Sequence, residues 1–404
     1  MSMKNGLRIH VINNYFFPVT AGIETAILQT FSRLQQWGHH VTMHTSRNTL
    51  HGTNVLPRAD VVKGMKIFRY DWIPHLGFFP RIDVSACDVV VIENFDIFPH
   101  LRVFAWILWL KLTQQKKFSV VVAPHGSFTP LWQVFPTFTR YIRFVYYHTL
   151  GVLLINSTAD VIQVLSEAEH LHMRKFGVDE HKMVTISNGV EPEALLQAHA
   201  VSNAFEKKIS SLGRYVVQLA RIDPVKNMGS AVVAMTHAPA DVKLVIAGDV
   251  NDVVYKQYLD LLVKKHGLQD RVVFLGVVKG AEKFYLLQHA LCMVHMAMAE
   301  TQSIAIWEGM SQGLICIVSN QSGMTETVHD GVNGFCFPSD AVERIGAAIT
   351  NVVEKAGTPA MVRMQEANRK ATQVLSWTSV AELMESTLVH ATHTKVVPVH
   401  LGGL

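Results

Sequence analysis

The chain has 404 residues, 49% of them hydrophobic and only 17% charged, with 36 Lys+Arg against 32 Asp+Glu, a formal net charge of +4 and 21 histidines. That apolar content excludes a disordered or fibrous chain, and no apolar stretch approaches the roughly 20 residues that span a bilayer. The small net charge, with no RRM, KH or zinc-finger pattern, points away from nucleic acid.

The start, Leu7-Arg8-Ile9-His10-Val11-Ile12, lacks the h-region of a signal peptide and reads as a first strand, so a cytoplasmic protein is expected. Short apolar runs then alternate with amphipathic segments, the pattern of α/β layers with parallel sheets. Strands are expected at 7–12, 41–44, 89–92 and 120–123 in the first half. In the second half they fall at 215–219, 243–246, 272–274, 292–295 and 315–318. The pattern predicts a first domain over 1–195, a linker over 196–212 where periodicity weakens, a second domain over 213–376, and a helix over 377–393. Two doubly wound domains would bind ligands at the carboxyl ends of their strands, facing a cleft. Cys87, Cys292, Cys316 and Cys336 form no C-x-x-C pair and read as reduced thiols. His39 and His40 read as ordinary turn residues.

The strongest local signal is Ala299-Glu300-Thr301-Gln302-Ser303-Ile304-Ala305-Ile306-Trp307-Glu308. Two carboxylates eight positions apart bracket a strand-to-helix turn. If Gln302 and Ser303 open the helix, its free N–H groups form an anion site. A diphosphate suits those groups, while the carboxylates suit sugar hydroxyls. An acidic first helical turn favoured by the macrodipole is the plain alternative.

This region resembles the E-x7-E signature of the family 4 retaining glycosyltransferases, which have the GT-B fold. Ala21-Gly22-Ile23-Glu24-Thr25 resembles their Gly-Gly-x-Glu loop, Pro124-His125-Gly126 their His-Gly turn and Ser187-Asn188-Gly189-Val190 their Asn-Gly-Val. Ala220-Arg221-Ile222-Asp223-Pro224-Val225-Lys226-Asn227 resembles the Arg and Lys segment, followed by Ile246-Ala247-Gly248-Asp249 and Phe274-Leu275-Gly276-Val277. Gly323-Met324-Thr325-Glu326 and Asp330-Gly331-Val332-Asn333-Gly334 complete the series.

The resemblance implies an α/β chain of two Rossmann-like domains that moves a sugar from a nucleoside-diphosphate donor to a glycan or lipid-linked acceptor. It implies that Arg221 and Lys226 clamp the leaving diphosphate, as fixed cations should. Glu300 would hold the donor sugar's hydroxyls and Glu308 the ribose. Gln302, Ser303 and Ile304 would offer backbone N–H groups, although Thr301-Gln302-Ser303 stands where relatives carry Gly-Phe-Gly. Gly276 and Val277 would contact the base, and Gly22 would admit a close backbone approach. His125 would lie near the donor sugar as a neutral imidazole, and Glu24 would either contact the acceptor or cap the first helix. No Asp-x-Asp triplet occurs, so neither a metal nor a cofactor is expected. A non-hydrolysing sugar-nucleotide epimerase of the same fold and a non-catalytic partner protein are the competing readings.

Between Asp96 and Asp160 there is no acidic residue, while Arg102, Lys111, Lys116, Lys117, Arg140 and Arg143 are interleaved with aromatics such as Trp106, Trp109, Trp132, Phe135, Phe138 and Tyr141. Cations among aromatics suit an anionic bilayer surface, so peripheral docking on the inner face of a membrane through 97–159 is expected. Core packing of the aromatics is the alternative.

Overall fold

Runs such as Val89-Val90-Val91-Ile92 and Val120-Val121-Val122-Ala123 are β-branched and apolar at every position, which suits parallel strands covered on both faces. In the computed structural model, which describes residues 6–19, 21–49, 52–128, 137–196, 199–320 and 323–393, every residue of these runs is buried. The chain divides into two units, 1–188 with 377–404, and 189–376.

The first unit is built on β1 (Arg8–Ile12), β2 (His40–Ser46), β3 (Ala59–Val62), β4 (Met65–Tyr70), β5 (Val89–Glu93), β6 (Ser119–Ala123), β7 (Val161–Val164) and β8 (Met183–Thr185). They form one sheet in the order β3-β4-β2-β1-β5-β6-β7-β8, parallel except where β3 meets β4. The order reverses between β1 and β5, the switch point where open α/β sheets place ligands. The predicted return of the C-terminal helix is present: Trp377–His393 belongs to this unit. His39, expected to be an ordinary turn residue, is buried and joins two elements. Its Nδ1 accepts from the Leu7 N–H at 3.1 Å, and its Nε2 meets Glu385 of the C-terminal helix at 2.7 Å.

The second unit holds β9 (Tyr215–Leu219), β10 (Lys243–Ala247), β11 (Val272–Gly276), β12 (Met293–His295), β13 (Cys316–Ser319) and β14 (Gly334–Phe337). Its sheet is parallel throughout, in the order β11-β10-β9-β12-β13-β14. This is a doubly wound order whose switch point lies between β9 and β12.

The expected linker is corrected by its contents. Within 196–212 lies the helix Asn203–Ser210, capped by Ser202, whose Oγ accepts from the Phe205 N–H at 3.2 Å. Phe205, Ile209 and Leu212 are buried in the core of the second unit. The unit boundary falls instead between Asn188 and Gly189. A helix of eight residues with an apolar pair at i and i+4 carries too short a period to stand out from a polar connector. Among the described residues no helix is long and apolar enough to cross a membrane.

Candidate active site

Two loops at the switch point of the second unit bring the predicted residues together. After β9 the chain passes Arg221 and turns at Pro224–Lys226, where Asp223 Oδ1 accepts from the Val225 N–H at 3.0 Å. Asn227 then takes a left-handed conformation with φ 45°, and Gln218 Nε2 donates to the Lys226 carbonyl at 3.2 Å. After β12 the second loop runs to Glu300. The Met298 N–H donates to the Val225 carbonyl at 2.9 Å, joining the loops, and the Gly323 N–H donates to the Glu300 carbonyl at 2.6 Å.

This scaffold sets Lys226 Nζ 2.8 and 2.7 Å from the two Glu300 oxygens. His295, the last residue of β12, places Nε2 2.8 Å from Glu300 Oε2. Burial would push the Glu300 carboxyl up, but the Lys226 charge and the His295 and Lys226 hydrogen bonds outweigh it and hold the carboxyl down at about 2. Glu300 is therefore ionised at neutral pH. Arg221, half-buried on the same loop, makes no hydrogen bond or ion pair among the described residues and remains available.

The helix Ile304–Ser311 begins just after Glu300, with Ser303 at its N-cap and no side chain capping it. The first N–H groups of such a helix have no partner within the helix itself. Glu308, one turn in, is buried, and its Oε1 accepts from Lys283 Nζ at 2.6 Å. Lys283 also reaches Glu191 Oε2 at 3.2 Å. Burial raises the Glu308 carboxyl against the Lys283 charge, while the Lys283 ammonium, opposed by burial, is raised by both carboxylates. Gly276 ends β11 with φ +84°, and Val277 beyond it is exposed.

The first unit gathers a second cluster, at the carboxyl ends of its own strands. His125, at φ 49°, puts Nε2 2.5 Å from Glu93 Oε2, with both side chains buried. Glu169 accepts from the Gly126 N–H at 2.6 Å and the Leu165 N–H at 2.7 Å. Glu24 is buried in the first turn of the helix Gly22–Gln36. At His125 burial disfavours the charged form, but the Glu93 hydrogen bond and the Glu93, Glu169 and Glu24 charges raise its pKa overall. Gly22 has neither a left-handed backbone nor a crowding neighbour; a Cβ there would meet open space.

Chemically, the second unit offers a fixed cation and a helix start without a side-chain cap for an anion, with two carboxylates as hydroxyl acceptors. Motif reading missed His295, Lys283, Glu191, Glu93 and Glu169. Of these only Glu169 carries a local signal, the Ser166-x-x-Glu169 capping pattern.

The model for glycosyl transferases group 1 matches residues 202–371, and that for glycosyltransferase family 4 matches residues 20–194. The chain is thus similar to glycosyltransferases in both of its parts, each model covering under half of it. An uncharacterized glycosyltransferase of Methanocaldococcus jannaschii is 24% identical over 58% of this chain, which spans about three fifths of that relative's length, 61%. The phosphatidyl-myo-inositol mannosyltransferase of Mycolicibacterium smegmatis is 24% identical over 86% of this chain and 85% of its own. The solved structure of Anabaena HepE in complex with UDP-glucose superposes with a TM-score of 0.72 at 16% identity, covering 95% of this chain and 99% of that one. The fold is therefore that of the GT-B glycosyltransferases.

Proposed function

We propose that this chain transfers a sugar from a UDP- or GDP-sugar to a glycan or lipid-linked acceptor, with retention of anomeric configuration. The observation that carries the reading is the Lys226–Glu300 pair beside the uncapped start of the Ile304–Ser311 helix. A diphosphate there meets Lys226, Arg221 and the N–H groups of Ser303 and Ile304. Gln302 shapes the same turn. Glu308 takes the ribose hydroxyls, Glu300 those of the sugar, and the backbone at Gly276 and Val277 the base. The UDP-glucose in the Anabaena structure and the mannosyltransferase name of the Mycolicibacterium relative support a nucleotide-sugar donor and a lipid-linked acceptor.

In the proposed reaction the bond from the anomeric carbon to the leaving phosphate oxygen breaks, and its electron pair stays with the diphosphate. The acceptor hydroxyl attacks from the same face and passes its proton to that oxygen, so no carboxylate nucleophile is needed. Lys226 and Arg221 supply the countercharge, and neither a metal nor a cofactor is part of the proposal. His125 and Glu24 are assigned to the acceptor side. Nucleoside diphosphates binding only the native chain raise its stability. UDP or GDP should therefore raise the melting temperature of the unaltered chain but not that of a Glu308→Ala variant. No shift with UDP, GDP or ADP would sink the donor site.

The reading places the chain in the cytoplasm, docked peripherally on an anionic membrane. On the helix Thr137–Tyr146, Phe138, Tyr141, Ile142 and Val145 lie at i, i+3, i+4 and i+7 and are all exposed, as are Trp109 and Leu112. Phe104, Phe118, Phe128, Tyr146 and Tyr147 pack the core instead, and Trp132 and Phe135 lie outside the described residues. Exposed aromatics beside Arg140, Lys111 and Lys117 suit the headgroup boundary. The chain should co-sediment with phosphatidylserine-containing liposomes at low salt, less at high salt, and a Phe138→Glu/Tyr141→Glu variant should not. Equal sedimentation of the variant would rule this face out.

A further inference from the structure

Glu300 accepts three hydrogen bonds, two from Lys226 and one from His295. If a donor occupies the site, Lys226 has a competing anion to serve, and its hold on Glu300 weakens. His295 has no such alternative. Its side chain is 1% exposed and, among the described residues, its Nε2 contacts only the carboxylate and its buried Nδ1 has no partner.

An ionised carboxylate only accepts, so the hydrogen of this contact sits on His295 Nε2, which donates to Glu300 Oε2 at 2.8 Å and anchors it.

We propose that His295 is the positioning residue of Glu300, holding the carboxylate against β12 while Lys226 turns to the donor's phosphates. This rests on the donor-site reading above. Glu300 then keeps its place for the sugar hydroxyls through the reaction, and His295 itself touches no substrate. Misplacing such a group by about 1 Å costs on the order of 100-fold in rate.

The test compares the unaltered chain with His295→Leu and His295→Gln, using UDP and GDP for binding and UDP-glucose and GDP-mannose for turnover. For His295→Leu, turnover should fall by about 100-fold while nucleoside-diphosphate affinity stays within about threefold. His295→Gln, whose amide can donate to Glu300, should recover about tenfold of that loss. Long-range ¹⁵N NMR of the ring in the unaltered chain should show a hydrogen on Nε2, with and without nucleotide. Turnover by His295→Leu equal to the unaltered chain, an equal loss of affinity and turnover, no recovery in His295→Gln, or an Nε2 without a hydrogen would each overturn the role of His295 alone. No turnover by the unaltered chain would instead overturn the transferase reading and this role with it.

Discussion

Lys226→Ala should lower donor turnover by about 1,000-fold, the scale seen when one preorganised group stabilising developing charge is removed. Two effects act together. In the proposed reaction the departing diphosphate loses the Lys226 ammonium, and Glu300 loses the two hydrogen bonds at 2.8 and 2.7 Å that Lys226 supplies. The second effect has a pH signature. In the unaltered chain Glu300 is held at about 2, with burial opposed first by the Lys226 charge. With that charge gone, burial faces only His295, and the carboxyl must rise. The residual activity of the variant should therefore fall on acidification at a higher pH than that of the unaltered chain. Release of nucleotide from UDP- and GDP-sugars across pH measures both. Turnover within a few-fold of the unaltered chain would remove Lys226 from the site.

Gly248→Ala should destabilise the chain by about 3 kcal/mol, at the upper end of overpacking costs in a well-packed interior. A Cβ at this position would lie 1.9 Å from the Ala220 carbonyl oxygen and 2.6 Å from its carbon, both backbone atoms. Neither strand can yield freely, because the Ala220 N–H donates to the Ala247 carbonyl at 3.0 Å and the Gly248 N–H to the Gly276 carbonyl at 2.9 Å. The strain falls on the carboxyl ends of β9 and β10, where the loop bearing Arg221 and Lys226 begins, so nucleotide binding should weaken as well. Thermal melting of the full chain should show a fall of roughly 6–12 °C. A melting point within about 1 °C of the unaltered chain would show that the close approach is not structural.

The sheets were legible where their strands carry runs of buried apolar residues. Expected strands at 7–12, 89–92 and 215–219 coincide with β1, β5 and β9 to within a residue. β3, with three of its four residues exposed, and the short β14, which begins at Gly334, carry no such run. The Asn203–Ser210 helix was hidden for the related reason that two apolar residues make no period. Within the site, Lys226, Glu300 and Glu308 stand in recognisable spacing. Their partners do not: Lys283 reaches Glu308 from 25 positions away and Glu93 reaches His125 from 32, contacts that only the fold creates. His295 is five residues from Glu300 and still escaped notice. A histidine ending a buried strand looks like core until the carboxylate's return path is known. His39 shows the same limit, since its partner Glu385 lies 346 positions on.

Sugar transfer at the carboxyl ends of β9 and β12 is tested most directly by product stereochemistry in a donor-turnover assay. Incubating the chain with UDP- and GDP-sugars carrying an α-linked sugar and following the anomeric proton by NMR should show nucleoside diphosphate released and the new linkage, or the free sugar first formed, still α. A β product would contradict retention. Conversion of the donor to an epimer without nucleotide release would contradict transfer itself.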